Sequence, residues 1–361
     1  MKFQPNYTIT PKIASHLLCV ESAKQEVVHL PLTITVLNSL RESARLMTTH
    51  YSTMIEGNQL EPAQIEVLLE REGHFPGRER EEHEIKGYYA ALHKMEQLVL
   101  EGRPVSEKMI QKLHALVMGN GRVKVKTTSY RDGQNVIRDS MTRRIVYMPP
   151  EAKDVPTLMS SMVHWIAHAQ SIPCPIVAAI AHYEFATIHP YYDGNGRTAR
   201  LLTTLILHLG GYALKGLYSL EEYYARYLDS YYNALSRGPS HNYYEGRAES
   251  DITPWIEYFM EGMADACEKV LIRMKEAQKK GISDQSCLLR NLDPRQRKVL
   301  KLFQKFETVT SNQIGVLFDF KPRTSSHVCA IWVKEGFLQV VGSSKKNRKY
   351  KLVRDFDLYG N

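Results

Sequence analysis

The sequence predicts a mainly α protein with a short β-hairpin in its middle and a small separate domain at its end. Three observations carry this. Apolar residues recur at helical spacing on both sides of one glycine-framed turn near Gly194. One stretch, Tyr130 to Pro150, combines turn residues with short alternation. The last seventy residues read as helix, helix, helix, hairpin.

Taken in order, residues 1–104 read as mostly helical, with Leu37 to Met47 and Ile65 to Glu70 amphipathic. The run Arg78-Glu79-Arg80-Glu81-Glu82-His83-Glu84 is expected as a solvated helix face. In the hairpin, Arg131-Asp132-Gly133 and Asp139-Ser140 are turn-like, and Arg143 to Met148 alternates enough for a strand. A helix is predicted from Pro175 to Ile188, with proline at its start and Pro190 marking its end. Another runs from Thr198 to Leu209, with Gly210-Gly211 as a stop. Asp293-Pro294 opens a helix with Val299, Leu300, Phe303 and Phe306 as its apolar face. Thr310 to Ile314 starts a second, and Pro322 to Glu335 forms a third, stopped by Gly336. Phe337 to Val341 and Lys349 to Val353 are strands around a basic tip, Lys345-Lys346-Asn347-Arg348. The divisions expected are 1–104, 105–262, a helix and linker over 263–290, and 291–361.

Chemistry concentrates in His189-Pro190-Tyr191-Tyr192-Asp193-Gly194-Asn195-Gly196-Arg197-Thr198-Ala199-Arg200. Asp193 to Gly196 is read as the turn that opens a helix. Free N–H groups at a helix start attract phosphate, and the helix dipole adds to that attraction. Arg197 and Arg200 can grip outer phosphates through forked hydrogen bonds. Asp193 is a hard oxygen ligand suited to Mg²⁺ shared with phosphates. His189 can take a proton near neutral pH.

These residues resemble the signature of Fic-domain proteins, His-Pro-Phe-x-Asp/Glu-Gly-Asn-Gly-Arg-x-x-Arg, with Tyr191 where phenylalanine is usual. The resemblance covers roughly residues 105 to 262. It implies an all-helical catalytic core with one hairpin, or flap. It also implies transfer of AMP from ATP to a target protein's Ser, Thr or Tyr hydroxyl, with release of pyrophosphate. On that resemblance His189 is the base and Asp193 holds Mg²⁺. Gly194, Asn195, Gly196, Arg197, Thr198, Ala199 and Arg200 bind the nucleotide.

Ser52-Thr53-Met54-Ile55-Glu56-Gly57-Asn58 resembles the family's inhibitory helix, which implies that Glu56 pairs with Arg200 and misaligns ATP. Glycine after a glutamate also suits an ordinary helix C-terminus. In the family the flap holds the target segment by strand addition, with Val146 and Tyr147 expected as its nucleotide-side contacts. Tyr231-Tyr232 resembles the pair that lines the adenine pocket, although Pro239 stands where some relatives carry asparagine, and a tyrosine-rich helix face also suits core packing.

Composition bounds the rest. The chain has 361 residues, and no stretch reaches the roughly 18 apolar residues of a membrane span. Five cysteines without a Cys-x-x-Cys pair favour a reducing cytoplasm and argue against zinc. His164 and His168, four apart, read as helix surface or core. Of 47 basic and 39 acidic residues, 14 and 6 fall in 292–361, so the remaining 33 of each sign cancel and the net +8 lies in the tail. That tail looks like a winged helix, with Arg323, Thr324, Ser325, Ser326 and His327 as candidates for DNA contact. Such modules also dock proteins or dimerise. The leading reading is an autoinhibited protein adenylyltransferase using Mg-ATP, with a homodimer as an expectation from the family. Alternatives are a DNA-binding regulator with a nucleotide-sensing core, and a Fic enzyme that removes AMP or transfers phosphate.

Overall fold

The computed structural model describes residues 3–30, 34–70, 73–122, 124–138, 142–279, 292–303, 306, 308–341 and 348–353. Asp139-Ser140, Lys280-Gly281, the linker at Ser283 to Ser286, Cys287 and the tip residues Lys345, Lys346 and Asn347 lie outside them. The chain forms two compact units, one of residues 1–29 and 41–272 and one of residues 30–40 and 273–361.

The elements before the linker are α1 (Pro11–His29), α2 (Ile34–Met54), α3 (Pro62–Glu70), α4 (Glu79–Glu101), α5 (Glu107–Val117), β1 (Ile137–Arg138), β2 (Ile145–Tyr147), α6 (Val155–His168), α7 (Cys174–Ile188), α8 (Asn195–Leu209), α9 (Leu220–Arg226), α10 (Leu228–Leu235) and α11 (Thr253–Lys279). Helix α7 is buried on nearly every side, as its almost continuous apolar sequence requires. It packs against α6 and α8, and α8 packs in turn against α4 and α5. Trp255 ties α11 to this pair by donating its indole N–H to the Ala179 carbonyl at 2.7 Å. An extended N-terminal segment clasps the start of α11, where the Ile252 N–H donates to the Asn6 carbonyl.

Strands β1 and β2 pair antiparallel, Ile137 opposite Tyr147 and Arg138 opposite Ile145, with an irregularity between Ile137 and Arg138. Just beyond β2, Met148 bridges to Asn242. The hairpin expected between Tyr130 and Pro150 is therefore present, with short strands.

Helix α4 starts at Glu79, but its charge run is not wholly solvated. Glu82 is buried, accepting the Phe75 N–H and facing His74 Nδ1 at 2.9 Å and Lys86 at 3.6 Å. One position in such a run faces inward because a helix turns every 3.6 residues. His164 and His168 lie exposed on α6 with ring centroids 4.1 Å apart. Among the described residues no three His, Cys, Asp or Glu side chains gather as a metal site, and no helix is long and apolar enough to cross a membrane.

The second unit holds α12 (Pro294–Phe303), β3 (Val309–Thr310), α13 (Ser311–Phe318), α14 (Pro322–Lys334), β4 (Leu338–Val341) and β5 (Lys349–Leu352). Its antiparallel sheet runs β3-β5-β4. Val299, Leu300, Phe303, Ile314, Cys329, Trp332 and Tyr350 form its core. Thr310 caps α13 through a reciprocal bond with Gln313. Phe306, expected on the apolar face of α12, donates its N–H to the Leu302 carbonyl at 2.9 Å, but its side chain is exposed.

Candidate active site

The site forms where α7 ends and α8 begins. His189 is the last cap of α7, in the left-handed region at φ 50°, with its N–H donating to the Phe185 carbonyl. That conformation stops the helix and turns the next carbonyls outward. The buried Arg131 meets them, donating from Nε to the His189 carbonyl at 2.9 Å. Six residues on, Asn195 fixes the turn. Its Oδ1 accepts the Tyr191 N–H at 3.0 Å and its Nδ2 donates to the Tyr191 carbonyl at 2.8 Å. Gly194, at φ 75°, takes the αL conformation that glycine tolerates best and opens α8. A side chain there would also meet Met118 Sδ at 2.8 Å.

The His189 imidazole is half-buried, with Nδ1 3.3 Å from the Ala186 carbonyl. A carbonyl can only accept, so Nδ1 carries the hydrogen and Nε2 keeps the lone pair. Burial pushes the His189 pKa down to about 4, against the opposing pull of the Ala186 carbonyl and of Glu56. The ring is thus neutral at pH 7, the form that accepts a proton.

Asp193 projects into solvent, 60% exposed, while its Oδ1 accepts the Gly194 N–H at 2.6 Å and faces Arg197 Nη2 at 3.3 Å. The Gly194 amide, expected to face an anion, is therefore turned to Asp193. The first turn of α8 leaves its amides without intrahelical acceptors. Arg197 and Thr198 are buried beside it, and Arg197 Nε and Thr198 Oγ1 have no protein partner. Ala199 is buried and faces the core.

Arg200 is 1% exposed and spans the gap to the end of α2. Its Nε donates to Ser52 Oγ at 2.9 Å, and its Nη2 donates to the Ser52 carbonyl at 2.8 Å and to Glu56 Oε1 at 2.8 Å. Burial opposes the Arg200 cation, but Glu56 above all overcomes this and holds it charged. The Glu56 carboxylate also lies over the start of α8, since a Cβ on Gly196 would come within 2.3 Å of its Oε1. The helix-end reading of this motif holds together with the contact. Glu56 and Gly57 follow the last turn of α2, with Gly57 at φ 94° and the Asn58 N–H returning to the Thr53 carbonyl.

The other expected residues divide. Val146 is exposed on the flap. Tyr147 points inward instead, its hydroxyl donating to the Thr187 carbonyl at 2.6 Å beneath Arg247. Tyr232 is exposed, with its hydroxyl 3.4 Å from the Ile55 carbonyl. Tyr231 is not on an open pocket wall. It is 2% exposed, stacks on Tyr224 and bonds His182 Nε2 at 2.9 Å, because α10 turns that face into the aromatic core.

Two residues had no sequence signal. His114 faces the Asp193 carbonyl with Nε2 at 2.9 Å and stacks on Tyr191 at 3.6 Å. Burial pushes its pKa down to about 4, although the Asp193 carbonyl pulls it up. Arg131 sat in a segment read only as a turn. Tyr191 packs inward as expected, and its hydroxyl is buried with no protein partner. Tyr191→Phe should therefore raise the melting temperature by about 2–4 °C, the equivalent of roughly 1 kcal/mol. A fall on thermal denaturation would show that the hydroxyl has a stabilising role.

Residues 104–207 match the model of the Fic/DOC family. This chain contains a Fic domain. It is 31% identical over 220 residues to the protein adenylyltransferase fic-1 of Caenorhabditis briggsae, covering 58% of this chain and 41% of that protein. It is 28% identical over 238 residues to the protein adenylyltransferase Fic of Drosophila virilis, covering 65% and 44%. The chain thus spans less than half the length of these curated relatives. Among solved structures, Fic-1 from C. elegans superposes with a TM-score of 0.59 at 25% identity, covering 73% of each chain. A Fic family protein from Desulfovibrio desulfuricans shares the fold with a TM-score of 0.59 at 23% identity, covering 97% of this chain and 98% of that one.

Proposed function

We propose that the chain is an autoinhibited protein adenylyltransferase that moves AMP from ATP to a Ser, Thr or Tyr hydroxyl. The observation that carries this reading is the turn itself. A neutral imidazole ends one buried helix, and the next helix begins six residues later with two buried arginines beside its first turn. His189 Nε2 accepts the hydroxyl proton while the oxygen attacks the α-phosphorus. The bond to pyrophosphate breaks, and AMP remains as a phosphoester. Arg197 and Arg200 hold the outer phosphates, and the amides of Asn195 and Gly196 face the transferred group. The names of the relatives support the reaction type.

Asp193 fits a magnesium ion. It offers one exposed carboxylate at the mouth of the cradle, and magnesium shared with phosphates needs only one or two protein carboxylates. When bound, that ion would neutralise phosphate charge. Glu56 supplies the inhibition. It occupies Arg200 and puts a negative charge over Gly196, where the nucleotide would need room.

In the second unit we read a winged helix. Arg323, Thr324, Ser326 and His327 are exposed at the start of α14, which supports nucleic acid as its partner, whereas Ser325 is buried and donates to the Lys321 carbonyl.

Intact-mass analysis of the Glu56→Gly variant after incubation with Mg-ATP tests the central reading. The expected gain is one AMP per modified site, abolished by EDTA. A gain of one phosphate, or an AMP gain indifferent to EDTA, would refute the reaction or its metal.

A further inference from the structure

Arg131 makes more main-chain contacts than a turn residue needs. From Nε it donates to the His189 carbonyl at 2.9 Å, from Nη1 to the Gly133 carbonyl at 3.1 Å, and from Nη2 to the Pro150 carbonyl. The same Nη2 lies 3.4 Å from the Ile188 carbonyl, and the Arg131 N–H donates to the Pro190 carbonyl at 2.9 Å. Gly133 and Pro150 are the two roots of the flap, on either side of β1 and β2. Ile188 and His189 are the end of α7, where outward-turned carbonyls lack intrahelical donors. A planar fork of five donors suits four carbonyls converging from two directions, and a cation suits the negative end of a helix.

We propose that Arg131 is a positioning residue for the transfer step, one guanidinium that fixes both flap roots to the main chain of His189. The base and the edge that would present the acceptor hydroxyl then form one rigid body. Holding two reacting groups in register accelerates their reaction without changing how either binds elsewhere. The hydrogen bonds of Arg131 go to the flap roots and to residues 188–190, not to Arg197, Arg200 or the first turn of α8, so nucleotide affinity should not pass through it. A second tie supports the same geometry, since Gln134 on the first root donates to the Pro149 carbonyl on the second at 3.0 Å.

This inference rests on the adenylyltransferase reading, and its test separates the two. In a Glu56→Gly background, Arg131→Gln and Arg131→Lys are compared for self-modification at saturating Mg-ATP and for the ATP concentration at half-maximal rate. The expected result for Arg131→Gln is a tenfold or greater loss of the plateau rate with the half-maximal ATP concentration unchanged within twofold. Arg131→Lys, which keeps the charge but not the fork, should also lose rate. A parallel loss of rate and ATP affinity, or full activity in Arg131→Gln, overturns the proposal.

A second readout needs no turnover. The charges that face His189 are Glu56 at the end of α2, Arg131 at the flap root and Asp193 in the turn, and only Arg131 favours the neutral ring. In a metal-free NMR titration, Arg131→Gln should move the His189 midpoint upward and Arg131→Lys should restore it. An unmoved midpoint in Arg131→Gln overturns the coupling even if no variant transfers AMP, while absence of AMP transfer from Glu56→Gly itself counts against the enzyme reading alone.

Discussion

Glu56→Gly should raise self-labelling with AMP to a rate roughly 5–150-fold above that of the unmodified chain, the range expected when 1–3 kcal/mol of coupling is removed. The expectation follows from which contacts the substitution deletes. Arg200 loses the one carboxylate that pairs with it among the described residues, and the space over Gly196 clears. The bonds from Arg200 to Ser52 Oγ and to the Ser52 carbonyl do not involve Glu56. The guanidinium therefore stays in place and becomes available to a phosphate. Glu56 is also past the last turn of α2, so glycine there costs little helix stability. Time-resolved intact-mass analysis in Mg-ATP measures the effect. Equal rates for the two proteins would remove Glu56 from the control of this site. Glu56→Gln should fall between them, because an amide keeps the shape and loses the charge.

His189→Ala should cut the same labelling by about 10²–10⁴-fold, the usual worth of a positioned general base. Nucleotide affinity, measured by calorimetry, should stay within a few-fold, since the arginines and the α8 amides remain. The backbone complicates alanine. Position 189 sits at φ 50°, where a residue without a compensating side chain costs about 1–2 kcal/mol. His189→Asn is the better control, because asparagine tolerates that conformation. Equal losses in both variants would assign the effect to the missing base. Retained activity in His189→Asn would dismiss it. The pH dependence has a definite sign. The imidazole must be neutral to act, and burial holds its pKa near 4, so the activity depending on it is present above that value and declines as pH falls through about 4.

How much of this was legible before the structure depended on how the contacts are spaced. The turn from His189 to Arg200 was legible because helix end, turn and helix start are consecutive and each has its own residue chemistry. The pairing of Glu56 with Arg200 joins residues far apart in sequence, so only a short pattern resembling a known family pointed to it. Arg131 and His114 left no trace. Both act on main-chain carbonyls, and a carbonyl is the same at every position. The burial of Tyr231 was not legible, because a tyrosine-rich helix offers several faces of equal hydrophobicity, and packing against Tyr224 and His182 decided among them. The inward direction of Tyr147 was illegible for a related reason. Alternation in a three-residue strand does not say which neighbour faces in, and the Thr187 carbonyl settled it. In the second unit, helix stops and strand alternation placed the elements within one or two residues, while Phe306, expected on an apolar face, is exposed.

The two independent holds on Arg200 have a consequence for how such a chain could be regulated. Ser52 grips the arginine through both its hydroxyl and its backbone, while Glu56, partly open to solvent, adds a third contact from a turn. On the proposed reading, relief requires only that one carboxylate rotate away while the helix keeps its seat. Side-chain rotation of that kind takes picoseconds to nanoseconds where exposed, far faster than the undocking of a whole segment. Signalling input to this molecule could then be graded by shifting a rotamer population, with no large rearrangement for a partner to drive.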